Sequence, residues 1–239
     1  MKLVKSTVLA ASLMAATTTA IAAEVSGNVA LTSDYKFRGI SQSNEDIAIQ
    51  GGFDVAFENG VYIGTWGSTV DFDVSSADGG LNGSLELDYY IGYAGDISDS
   101  ISFDIGYLYY DYPGDEGLEG DYQELYGSVS FSDLTLGLHY SDDYYGETDT
   151  FLYYYADYSI ALPGDVSLSL HVAMNDLEEN GGFLATDEDS YIDYSIGVSK
   201  TFEGVDLSLA FVGTDLDEED VFDTEWGDDT LVFTISKSL

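Results

Sequence analysis

The sequence predicts an all-β protein: a transmembrane antiparallel up-and-down β-barrel of about 12 strands behind a cleaved signal peptide, an expectation built on strand periodicity, loop lengths and charge placement. A period-two alternation of apolar and polar residues recurs from Val25 to Leu239, always broken by polar turns. The connections between these segments alternate between short and long. None of the 45 acidic residues falls on the apolar parity of a segment. A soluble sandwich would bury its apolar walls between two sheets and has no reason to sort its loops by length, whereas a barrel in lipid turns the apolar wall outward.

The chain opens with a basic head, Lys2 and Lys5, then an apolar stretch from Val8 to Ala16 and a small-residue cleavage site at Ala20-Ile21-Ala22. This is the layout of a bacterial export signal. Residues 1–23 are therefore expected to be the signal peptide and 24–239 the barrel. No later segment reaches the roughly 18 to 20 continuous apolar residues of a membrane helix. Cysteine is absent, so disulfides and thiolate metal sites are excluded.

The alternation places strands at Val25–Gly39, Ile47–Phe57, Val61–Val70, Ser84–Ala94, Ile101–Tyr110 and Tyr122–Phe131, then at Leu134–Tyr140, Thr150–Ile160, Val166–Met174, Tyr191–Lys200, Val205–Gly213 and Thr230–Ser238. In the fourth, Leu85, Leu87, Tyr89, Ile91 and Tyr93 share one face while Glu86, Asp88, Tyr90 and Gly92 share the other. An even strand count puts both termini on the periplasmic side. Glu58-Asn59-Gly60 and Ser132-Asp133 are typical of the short connections; Asn175 to Ser190 and Thr214 to Asp229 are typical of the long ones. Lys200 and Lys237 have outward parity but sit in the last turns, where long stems can snorkel. Outward Tyr35, Phe37, Tyr93, Tyr107, Tyr109 and Tyr158 are expected to form aromatic girdles.

The segment Leu31-Thr32-Ser33-Asp34-Tyr35-Lys36-Phe37-Arg38-Gly39-Ile40-Ser41-Gln42-Ser43 resembles the N-terminal signature of the TorF-type porin family of proteobacteria. Gly51-Gly52-Phe53-Asp54, Gly60-Val61-Tyr62-Ile63-Gly64-Thr65-Trp66, the strand Glu86 to Tyr93 and the closing Val232 to Ser238 are similar too. The resemblance implies an outer-membrane protein of porin type, and carries over no catalytic or substrate-binding residue.

By parity the lumen is lined by Asp34, Lys36, Arg38, Asp54, Glu86, Asp88, Asp104, Glu124, Asp157, Asp193 and Asp206. An acidic, low-dielectric passage concentrates cations and repels anions. Lys36 and Arg38 are expected to face Glu86 and Asp88 across the lumen as a charged constriction. Tyr90, Tyr122, Tyr126 and Tyr155, also inward, form a candidate stacking track for sugar rings. The expected function is passive passage of small solutes, cations preferred, with an oligosaccharide channel as the alternative. A barrel enzyme or an adhesion protein with acidic loops stands behind both.

Chemistry has few candidates. His139, Asp157 and His171 could build a metal or hydrolytic centre, but alternate strands stand about 9 to 10 Å apart, too wide for two histidines to share an ion comfortably. No metal or cofactor is expected. The acidic last loop, Asp215 to Asp229, suggests divalent bridging to lipopolysaccharide. With a formal net charge of −39, nucleic acid is excluded as a partner; lipid, lipopolysaccharide and small solutes or cations remain.

Overall fold

The computed structural model describes residues 23–72, 83–114, 120–178, 182–185 and 188–239, so the expected export signal lies outside the described residues. Twelve long strands close into an antiparallel barrel. They are β1 (Ala23–Thr32), β4 (Ala48–Phe57), β5 (Val61–Thr69), β6 (Leu85–Ser98), β7 (Ile101–Asp111), β8 (Tyr122–Phe131), β9 (Leu134–Ser141), β10 (Phe151–Leu162), β11 (Val166–Leu177), β12 (Ser190–Phe202), β13 (Val205–Thr214) and β14 (Thr230–Ser238). Each pairs with its sequence neighbour, and β1 meets β14 with Thr32 opposite Thr234 and Asn28 opposite Ser238. No edge is left unpaired, which is how a sheet survives in a medium that offers its backbone no hydrogen bonds.

Alternation sets the two faces. Leu85, Tyr89, Ile91 and Tyr93 are exposed on the outside of β6, while Glu86 and Asp88 are buried inside. The same belt continues around the ring through Ile105, Leu136, Leu138, Val172, Ile196, Leu209 and Phe233. Strands run a residue or three beyond the expected bounds, so Asp111 and Asp176 take outward positions at the outer rim. The short turns are tight. At Glu58-Asn59-Gly60 the Gly60 N–H donates to the Phe57 carbonyl at 3.0 Å with φ +89°, and a Cβ there would stand 2.4 Å from the Ala94 oxygen.

One expected strand is wrong. The first ends at Thr32, not Gly39, and the chain turns into the barrel mouth. Thr32 Oγ1 donates to the Asp34 carbonyl at 2.8 Å, and a short hairpin follows, β2 (Lys36–Phe37) against β3 (Ile40–Ser41). Arg38 and Gly39 form its tip at φ 50° and +82°, outside extended geometry. Tyr35 and Phe37 therefore belong to the interior, not to a lipid-facing girdle; Tyr35 is only 9% exposed.

The buried core lies at this outer end. The hairpin packs with Phe72, Tyr112, Tyr144, Leu184, Leu216, Val221 and Trp226 from the outer connections and with Tyr110, Tyr122, Phe151, Tyr153 and Tyr191 from the wall. Burying this aromatic surface is worth on the order of 25 cal/mol per Å², enough to hold an otherwise irregular segment inside the mouth.

Candidate functional site in the lumen

The infolded hairpin fills the outer end of the lumen and leaves the lower end to the side chains of the wall itself. Ser41 Oγ donates to Asp34 Oδ1 at 2.7 Å, the Ser41 N–H donates to the Trp226 carbonyl at 2.9 Å, and Lys36 Nζ donates to the same carbonyl at 2.8 Å. Burial lowers the pKa of Lys36, with Asp34 opposing. Trp226 Nε1 donates to Asn44 Oδ1 at 3.0 Å. At the tip, a Cβ on Gly39 would meet Thr214 Cγ2 at 2.3 Å and Asp193 Cβ at 2.9 Å, so only glycine fits against the β12–β13 wall.

Arg38 spans the barrel. Its Nη2 donates to Glu124 Oε1 at 2.6 Å, on β8, nearly opposite β1 in the ring, and its Nη1 donates to Tyr144 Oη at 3.1 Å. The guanidinium lies 4.7 Å from the Phe37 and Phe151 ring centres and 4.5 Å from that of Tyr153, a cation–π cage. Glu124 Oε2 accepts from Tyr110 Oη at 3.1 Å and lies 2.8 Å from His139 Nδ1. The pairing of Lys36 and Arg38 with Glu86 and Asp88 does not occur. Tyr35 Oη reaches Glu86 instead, at 3.0 Å, and Lys36 stays by Asp34 and Trp226. Glu86 and Asp88 are buried beneath the hairpin, with Glu86 Oε2 and Asp88 Oδ1 accepting no hydrogen bond.

Below the hairpin the two sides of the lumen differ. From β5 to β10 the wall is tyrosine and aspartate. Tyr90 Oη donates to Asp54, and Tyr62 Oη donates to Asp104 at 2.6 Å and meets Tyr126 Oη. Each ring lies over a directly paired glycine: Tyr90 over Gly64, Tyr62 over Gly92, Tyr126 over Gly106 and Tyr155 over Gly137. From β11 to β1 the inward positions are small, among them Ser169, Gly197, Ala210, Ser208, Ser236 and Ala30.

His171 bridges Asp157 and Asp193, its Nδ1 2.6 Å from Asp157 Oδ1 and its Nε2 3.0 Å from Asp193 Oδ1. Asn175 Nδ2 also donates to Asp193 at 2.7 Å. His139 has a different carboxylate, Glu124, so the two histidines do not share a centre with Asp157. No group of three His, Asp or Glu suited to a metal ion occurs among the described residues. Asp206, near the short-turn end of the barrel, accepts from Thr201 Oγ1. Tyr122 is not available for stacking: it is 2% exposed, and the Tyr110 ring covers it at 4.2 Å. Sequence reasoning missed the tyrosine–glycine pairs and the histidine bridges, both of which appear only once strand register is known.

A family model described as a bacterial protein of unknown function, Gcw_chp, matches residues 16–239. The chain belongs to the Gcw_chp family. No curated protein matches the sequence. Among solved structures, this Gcw_chp barrel is similar to the NanC porin, with a TM-score of 0.56 at 12% identity over 89% of this chain and 98% of that one. It is similar also to the KdgM porin, at 0.53 and 10% over 89% and 97%. A KdgM porin in complex with disordered oligogalacturonate gives 0.51 and 9% over 91% and 98%. At these identities the likeness concerns the fold.

Proposed function

We propose that this Gcw_chp protein is a non-catalytic outer-membrane channel for passive diffusion of small solutes, with cations preferred. Residues 1–23 act as its export signal, and the exposed apolar belt is its contact with lipid and lipopolysaccharide. The observation that carries the reading is the charge of the lower lumen. Asp54, Asp104 and Asp206 line it, with Asp157 tied to His171, and no Lys or Arg among the described residues enters it, since Lys36 and Arg38 are held in the outer mouth and Lys200 and Lys237 face outward. A low-dielectric wall of one sign raises the local concentration of the opposite ion. The fold likeness to porins and the resemblance of Leu31–Ser43 to the TorF-type porins support the same class.

The second reading is an oligosaccharide channel, favoured by the tyrosine wall and by the oligogalacturonate named for the KdgM complex. Oligogalacturonate is a polyanion, and the carboxylates of this lumen repel it. Any sugar passing here is therefore neutral.

Planar-bilayer recording in a potassium chloride gradient tests the proposal. The reversal potential carries the sign of cation preference, and neutralising Asp54 and Asp104 together by Asp→Asn reduces it. Anion preference, or no conductance from either the native protein or an Arg38→Ala variant, sinks it.

A further inference from the structure

The tyrosine wall of the lower lumen has a definite hydrogen-bonding polarity. Tyr62 gives its hydroxyl hydrogen to Asp104 and Tyr90 gives its own to Asp54. With the Tyr62 hydrogen spent, Tyr126 is the donor in the contact between their hydroxyls. The hydroxyl hydrogens of Tyr62, Tyr90 and Tyr126 are thus engaged inside the wall. What these residues offer a solute is carboxylate oxygen on Asp54 and Asp104 and aromatic rings.

The backbone makes room for those rings. A Cβ on Gly92 would stand 2.2 Å from Tyr62 Cζ, one on Gly64 2.3 Å from Tyr90 Cε2, one on Gly106 2.3 Å from Tyr126 Oη and one on Gly137 2.2 Å from Tyr155 Cζ. Each ring occupies the space a neighbouring side chain would fill, so it is backed by the wall and remains half-buried; the Tyr126 ring also stacks on His139 with centres 5.5 Å apart, and Tyr155 lies 6.1 Å from the His139 and His171 rings. The opposite wall carries smaller side chains, among them Ser169, Gly197 and Ala210.

A wall of aromatic rings and carboxylates whose Tyr62, Tyr90 and Tyr126 hydroxyl hydrogens are engaged suits one solute chemistry above others. A sugar presents hydroxyls that need donors as well as acceptors. An ammonium or quaternary ammonium group needs neither donor nor lone pair: it takes carboxylate charge and the negative face of an aromatic ring. We propose that the wall formed by Tyr62, Tyr90, Tyr126 and Tyr155 with Asp54 and Asp104 is a binding track for organic cations. This rests on the channel reading and specifies its solute class.

The test is single-channel potassium current from refolded protein with tetraethylammonium or maltotriose added to either side. Tetraethylammonium blocks the current saturably and maltotriose does not. Tyr126→Leu and Tyr155→Leu each raise the half-blocking concentration by about three- to ten-fold, in line with the loss of a cation–π contact. Tyr126→Phe leaves it unchanged, and Asp104→Asn raises it. Heat-shifted gel mobility confirms that each variant is folded, and the Phe and Asn variants carry the test should a Leu variant not fold.

Block by maltotriose alone, or block by tetraethylammonium that ignores the Tyr→Leu changes, overturns the track. A cation-selective current that tetraethylammonium leaves untouched also overturns it while the channel reading stands. If no current flows, titration calorimetry with tetraethylammonium decides: saturable binding weakened by Tyr→Leu upholds the track and removes the channel, and absence of heat removes both.

Discussion

Arg38 on the infolded hairpin and Glu124 on the facing wall meet at 2.6 Å with side chains only 4% and 0% exposed. The pair ties a loop that follows the first strand to the far side of the ring. Three Glu124 partners, Arg38, Tyr110 and His139, converge on its two oxygens, so the carboxylate is well satisfied while Arg38 is in place.

Arg38→Met keeps most of the volume but leaves Glu124 without its cation. Removing one partner of a buried pair costs about 3–5 kcal/mol, and here the cost falls on hairpin docking because the strands remain paired. Single-channel conductance should rise and become noisier. Glu124→Leu added to Arg38→Met should recover part of the quiet state, since the orphaned charge is gone. Unchanged conductance in Arg38→Met would show that the hairpin does not limit the passage.

The buried phenols of the outer connections give a pH dependence. Burial raises the pKa of Tyr144 to about 12, with Arg38 pulling the other way, and burial with the nearby Glu86 and Asp88 charges raises that of Tyr35. In the docked state these groups stay neutral where a free phenol, near pH 10, ionises. Docking is thus at full strength below about pH 10 and weakens as pH climbs toward the docked values. Ultraviolet titration should show part of the tyrosine complement ionising late, and conductance should increase over the same range. A single phenolate transition near pH 10 would contradict the buried placement.

Gly92→Val tests the tyrosine–glycine pairing. The new Cβ collides with Tyr62, and overpacking of this kind costs about 1–3 kcal/mol. Urea unfolding should show the loss, and Tyr62→Ala in the same chain should relieve it. Additive effects of the two changes would mean that the pair does not touch.

Closure of the barrel predicts a gel signature. Unboiled protein in detergent should run differently from boiled protein, because no free edge lets the sheet fray. Identical mobility would argue against β1 pairing with β14.

The alternation made the strands legible, with bounds within about three residues for most, because every lipid-facing position must be apolar and every lumen position can be polar. The hairpin escaped for a physical reason. Tyr35 and Phe37 with Lys36 and Arg38 imitate one more turn of alternation, so side-chain pattern alone continued the strand to Gly39. The strand broke instead at the turn-prone Ser33-Asp34, the only local hint, and the hairpin reversed at Arg38 and Gly39 with positive φ. Glu86, Asp88 and Glu124 were placed on the right wall, but their partners depended on where the hairpin went. Tyr122 faced inward as expected, yet its burial comes from Tyr110 and Tyr144, and Tyr144 belongs to a loop whose path no periodicity encodes.

The hairpin also carries information about assembly. It leaves β1 near the start of the folded chain, yet its partners include Trp226 just before β14, 190 residues away from Lys36, and Tyr191, whose hydroxyl reaches the Arg38 carbonyl across 153 positions. Contacts of such separation bear a large loop-closure entropy and form late. A barrel still missing its last strand leaves Ser33, at the root of the hairpin, without the Phe233 carbonyl that its N–H meets at 2.9 Å, so the hairpin gains its last anchor when β14 zips onto β1. Filling of the outer mouth is then a built-in signal that the ring is complete.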